Sequence, residues 1–85
     1  MEHQLYAVYD SKAEAFLPPF IMPNTATALR AFKAAAENEQ HQFYAHAADY
    51  TLFGLGYFDD STGKIQSLDV HENLGTALTL RENES

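Results

Sequence analysis

Apolar and polar positions along the 85-residue chain form short blocks whose period changes from two to about 3.6 and back to two. In HQLYAVY (3–9), Leu5, Ala7 and Tyr9 alternate with Tyr6 and Val8, as in a strand. Both sets are partly apolar, which predicts a central strand, or one with a face against a partner. DSKAEA (10–15) is a polar connection. FLPPFIM (16–22) is apolar, but Pro18 and Pro19 lack the N–H donors of an inner ladder. An extended edge segment is expected, its side chains lying over the sheet or over another chain. Pro23 pushes Met22 toward extended geometry as well.

The period then changes. Asn24 or Thr25 is placed to cap a helix running to Glu37, with Ala28, Leu29, Phe32, Ala35 and Ala36 on one face and Arg30, Lys33 and Glu37 on the other. The alanines favour helix and let it sit close to a sheet. FYAHAADY (43–50) is ambiguous and fits a strand end followed by a helical turn. YTLFGLGYF (50–58) predicts a strand with Tyr50, Leu52 and Phe58 on one face and Phe53, Leu55 and Tyr57 on the other. Gly54 and Gly56 would share the first face and admit a close neighbour. DDSTGK (59–64) reads as a hairpin turn with positive φ at Gly63. KIQSLDV (64–70) is the returning strand. ENLGTALTLRE (72–82) predicts a short terminal helix on Leu74, Ala77 and Leu78.

This order predicts one α+β domain over residues 1–81 and a frayed tail over 82–85. Its architecture is a small antiparallel-rich sheet covered by one main helix, with a Pro-rich extended edge segment. The second sheet face then needs a cover, and a two-fold partner is the expected one, giving a homodimer.

Composition sharpens this picture. Hydrophobic residues make up 46% of the chain, including six Phe and five Tyr, enough for a small core. A chain this short buries only about 60–65% of its unfolded surface, so dimerisation is an economical way to bury more. The absence of cysteine removes disulfides and thiolate metal sites and suits a reducing cytoplasm. No apolar run approaches the ~20 residues of a membrane span, and the N-terminus has no signal-peptide pattern. The net charge of −7 repels phosphate at long range and disfavours non-specific duplex binding.

Candidate chemistry is sparse. His41 and His46 are five residues apart, which does not align two ligands on a helix, although Asp49 lies near in sequence. Ordinary loop histidines are the expected outcome, and no metal site or cofactor is assigned. Asp59 and Asp60 lack the full spacing of a calcium loop and fit an acidic turn. Gly63–Lys64 lacks a phosphate loop's glycine run, and GLG inside a strand is no dinucleotide fingerprint. No acid, base and nucleophile assemble, so catalysis is not expected. For nucleic acid, Arg30 and Lys33 form a small basic spot on the helix, which Lys12 and Lys64 could join only through folding or dimerisation. Tyr6 and Tyr57 are candidate stacking residues for single-stranded bases, each stack being worth ~1–3 kcal/mol. For any single tyrosine, core or interface is the stronger expectation. Phe16, Leu17, Phe20 and Phe53 are candidates for contact with a second copy or another partner.

Several segments, in order, resemble one family: YAVYDSKAEAFLPPF, ALRAF, HQFYAHAADYTLFGLGYFDDSTG and NLGTAL. Together they are similar to the small non-structural protein of gokushoviruses, tailless phages of the Microviridae with circular single-stranded DNA genomes. VYDSKAEAFLPPF and DYTLFGLGYFDDSTG are the most specific parts. The family is commonly described as non-structural or DNA-binding. The resemblance implies a regulator of single-stranded genome synthesis or packaging, working in the host bacterial cytoplasm and absent from the mature virion. It supplies no site residues. This chain has Ala45 where relatives often carry a basic residue, and Gly54 where they often carry an acidic or polar one. The alternative, favoured by acidity, is an interaction module that binds phage or host replication or packaging proteins without touching DNA.

Overall fold

In the computed structural model, which describes residues 1–82, five antiparallel strands make one sheet and the helices gather on one of its faces. The strands are β1 (Glu2–Asp10), β2 (Ala15–Phe16), β3 (Phe20–Met22), β4 (Tyr50–Asp59) and β5 (Ile65–Thr76). The helices are α1 (Thr25–Glu37), α2 (Gln42–Ala45) and α3 (Ala77–Glu82). The α+β class, the main helix and the edge segment are as the sequence predicts. Of the expected frayed tail, Glu82 closes α3, and residues 83–85 lie outside the described residues.

β1 is central, pairing with β4 on one side and with β2 and β3 in turn on the other. Pro18 and Pro19 fall between β2 and β3, where the ladder skips, so their missing donors cost the sheet nothing. Leu17 N–H still donates to the Val8 carbonyl at 2.8 Å. The apolar segment splits in two. Leu17, Phe20 and Met22 pack against the core, while Phe16 and Ile21 point to the other sheet face, 43% and 46% exposed.

Asn24 caps α1, its side-chain oxygen accepting from Thr27 N–H at 2.8 Å. The buried stripe is Ala28, Phe32 and Ala36, laid over Tyr6 and Val8 of β1 and Tyr50 and Leu52 of β4. Phe43 of α2 and Ala77 of α3 complete the same core.

Three expectations are corrected. Residues 42–49 form α2 and a 3-10 turn (Ala47–Asp49), with no strand end. Residues 72–76 belong to β5, so the terminal helix is confined to Ala77–Glu82. The third concerns the faces of β4. Tyr6 pairs with Gly54 but Leu5 pairs with Gly56, which makes Leu55 an extra residue. Facing residues share a side, so this bulge reverses the alternation beyond it. Tyr57 now lies beside Gln4 on the helix side, Phe58 lies beside His3 on the other, and Gly54 and Gly56 no longer share a face. β5 departs further at the same place: Gly54 pairs with Glu72 and Gly56 with Ser67, leaving Leu68–His71 without partners in β4.

Candidate functional site

Lys12 and Lys64, the two lysines outside the helices, do not converge. Lys12 lies in the turn after β1 and Lys64 in the turn after β4, whose last residue pairs with Glu2. The length of β1 separates them, about 26 Å at ~3.3 Å per residue. Arg30 is exposed and Lys33 half-buried, both on α1. Arg81 is committed to α2, its guanidinium 4.7 Å from the Tyr44 ring centre and its Nη1 donating to the Tyr44 carbonyl at 3.2 Å.

Tyr6 does not offer a ring to a base. It is 1% exposed, and Phe20 stacks on it at 6.0 Å between ring centres. Its hydroxyl donates to Gln4 Oε1 and lies 2.9 Å from Thr25 Oγ1. The hydroxyl and the ring both serve the junction of β1, β3 and α1. Tyr57, by contrast, is 36% exposed. It borders three adjoining hollows of about 140, 480 and 100 Å³, whose rims include Glu2, Asp59, Asp69 and Glu72 but only one cation, Lys64.

The sheet face away from the helices is the second surface of interest. Tyr9, Phe16 and Phe53 meet edge to face there, with ring centres 4.9 to 6.4 Å apart, and His71 meets Phe16 at 5.8 Å. Leu5 and its partner Ile21 continue the patch. Register places His3, Leu5, Ala7, Tyr9, Phe16, Ile21, Thr51 and Phe53 on this side, with no Asp, Glu, Lys or Arg among them. Of the four candidate contact residues, Phe16 and Phe53 therefore lie together on the open face, and Leu17 and Phe20 pack into the protomer's own core.

The histidines have local duties. His41 Nδ1 accepts from Phe43 N–H at 3.1 Å and caps α2, and His46 ends that helix. His46 and Asp49 line one hollow with Asp10, Lys12 and Tyr50, without His41. Among the described residues no group of three or more His, Asp or Glu is arranged to hold a metal ion. His3 Nε2 lies 2.8 Å from Asp60 Oδ2, and the Met1 ammonium donates to Asp60 Oδ1 at 2.8 Å. The hydrogen bond from that ammonium, then the one from His3, holds the Asp60 carboxyl below its ordinary range. Ser61 lowers Asp59 in the same way, through its hydroxyl and its N–H. Burial, then the charges of Asp10 and Asp49, pushes the Tyr50 hydroxyl up. These shifts belong to turn and core structure and gather in no shared pocket.

Sequence reading missed Gln4 and Glu72 beside Tyr57, because only the two irregular registers bring them together. It also missed the grouping of Tyr9 and His71 with Phe16. The partial alternation in 3–9 was the available signal for Tyr9, and nothing local marks His71. Comparison with curated proteins and with solved structures returned no match. The family model described as Phage ORF5 protein matches residues 3–80, nearly the whole sheet and its helices. The chain therefore belongs to the Phage ORF5 protein family and is a phage protein.

Proposed function

We propose that this phage protein is a non-catalytic, non-structural protein of the gokushovirus type, an acidic interaction module in single-stranded genome synthesis or packaging. In this reading it works in the host cytoplasm and engages basic proteins of the replication or packaging machinery without contacting DNA. The observation that carries the reading is the crowding of carboxylates around Tyr57 together with the separation of Lys12 from Lys64. Lys12 and Lys64 stand at opposite ends of the sheet, Arg81 is committed to Tyr44, and carboxylates crowd the hollows around Tyr57. The resemblance to gokushovirus proteins supports the setting, and the net charge of −7 supports a basic partner.

The module works as a homodimer joined through the open sheet face. The centre of that face, formed by Leu5, Ala7, Tyr9, Phe16, Ile21 and Phe53, carries no Asp, Glu, Lys or Arg, while Asp60 lies at its margin beside His3, so a second copy seated on Phe16 meets the face away from that charge, despite the acidity of the whole chain.

One observation favours a second reading, a DNA-associated regulator. Tyr9, Phe16 and Phe53 form an open aromatic sheet surface of the kind on which single-stranded bases stack. Fluorescence anisotropy of labelled single-stranded and duplex oligonucleotides at low and physiological salt separates the two. The interaction module predicts no saturable binding even at low salt. Saturable single-strand binding that weakens with salt and is abolished by charge reversal at Arg30 and Lys33 would establish the DNA reading.

A further inference from the structure

We propose that the hollow beside Tyr57 receives the guanidinium of an arginine from a basic protein segment, which deepens the interaction-module reading and rests on it. The hollow exists because the sheet is interrupted. Leu55 is an extra residue against β1, and Leu68–His71 have no partners in β4, so β5 bows away and opens a space of about 140 Å³. Gly54 forms part of its wall. With no side chain there, the Glu72 carboxylate folds over the backbone, its Oε1 3.7 Å from where a Gly54 Cβ would stand. Gln4 Oε1 already accepts from the hydroxyls of Tyr6 and Thr25, so Glu72 is the acceptor in this hollow with a full charge.

A cationic guest finds three things here. Tyr57 presents a partly exposed ring for a cation to lie against. Glu72 supplies a carboxylate for a paired hydrogen bond. Glu2, Asp59 and Asp69 line the adjoining hollows and outnumber Lys64 and the Met1 ammonium, which lies 3.8 Å from Asp59 Oδ1, so the local field draws in positive charge. Arginine fits better than lysine, because a flat guanidinium can stack on the ring while donating two hydrogen bonds to one carboxylate. A phosphate would instead meet these carboxylates.

The test is an NMR titration of the ¹⁵N-labelled full chain at low salt with acetylated hexa-arginine amide, hexa-lysine amide and a single-stranded oligonucleotide. Hexa-arginine is expected to shift the amides of Tyr57, Leu68 and Glu72 most and to bind more tightly than hexa-lysine. Tyr57→Leu and Glu72→Gln should each weaken it about fivefold while keeping the dispersed spectrum of the folded chain. Glu72 is exposed, so Glu72→Gln carries the test if Tyr57→Leu fails to fold. Shifts spread over the acidic surface, with both variants at wild-type affinity, would overturn the site and leave the interaction module standing. An oligonucleotide that moves the same amides more strongly than hexa-arginine, or no hexa-arginine binding anywhere, would overturn both.

Discussion

Gly56→Ala is expected to lower the melting temperature by about 10–25 °C. A Cβ at residue 56 would stand 2.0 Å from the Gln66 carbonyl oxygen and 3.0 Å from both the Gln66 carbonyl carbon and Ser67 Cα. All three atoms are backbone, so no side chain can rotate aside. β5 must move, and the pairings of Gly56 with Ser67, Tyr57 with Gln66 and Phe58 with Ile65 are lost or stretched. Overpacking of ~1–3 kcal/mol, with ~1 kcal/mol for each weakened hydrogen bond, gives roughly 3 kcal/mol. That is a large share of the ~4–13 kcal/mol expected for a domain of this size. Gly54→Ala is the control. Its Cβ would meet Glu72 Cβ at 3.6 Å and Tyr6 Cε1 at 4.0 Å, ordinary contacts, so a change below ~1 kcal/mol is expected. Thermal unfolding followed by circular dichroism checks both, and equal effects would contradict the close approach of β5 at Gly56.

Phe16→Asp is expected to convert the proposed homodimer to monomer, halving the mass seen by light scattering to the 9.5 kDa of one chain. Phe16 is 43% exposed in the protomer, so the substitution leaves the core stripe intact and the monomer should stay folded. In a two-fold interface the same change buries two carboxylates, one from each copy, among Tyr9, Phe53 and their symmetry mates. Unpaired charges in such a setting cost several kcal/mol, which corresponds to at least about a hundredfold weaker dimerisation. A wild-type protein that is monomeric at its highest soluble concentration would remove the dimer from the account.

The elements set by local chemistry were legible from the residues. Asn24 before an alanine-rich 3.6-residue period fixes α1 from its cap to Glu37. Pro18 and Pro19 confine their segment to an edge, and Gly63, with φ of 76°, turns the chain between β4 and β5. What was not legible is where the ladder breaks. The alternation in YTLFGLGYF is continuous, and the extra residue at Leu55 arises from pairing with β1, a strand more than forty residues away in sequence. A period-two reading therefore puts Tyr57 and Phe58 on the wrong faces and hides the hollow between Gln4, Tyr57 and Glu72. Tyr6 shows the same limit. Tyrosine is equally suited to a core and to a stacking surface, and only the positions of Phe20 and Thr25 place it in the core.

The most direct test of the account is which kind of molecule this protein touches during infection. A photoreactive phenylalanine analogue in place of the exposed Gln66, beside Tyr57 and away from the open sheet face, would be irradiated in infected host cells. The account predicts adducts with another protein, which protease collapses and nuclease leaves unchanged. Adducts that nuclease collapses, carrying single-stranded phage DNA, would contradict it and make this chain a DNA-binding protein.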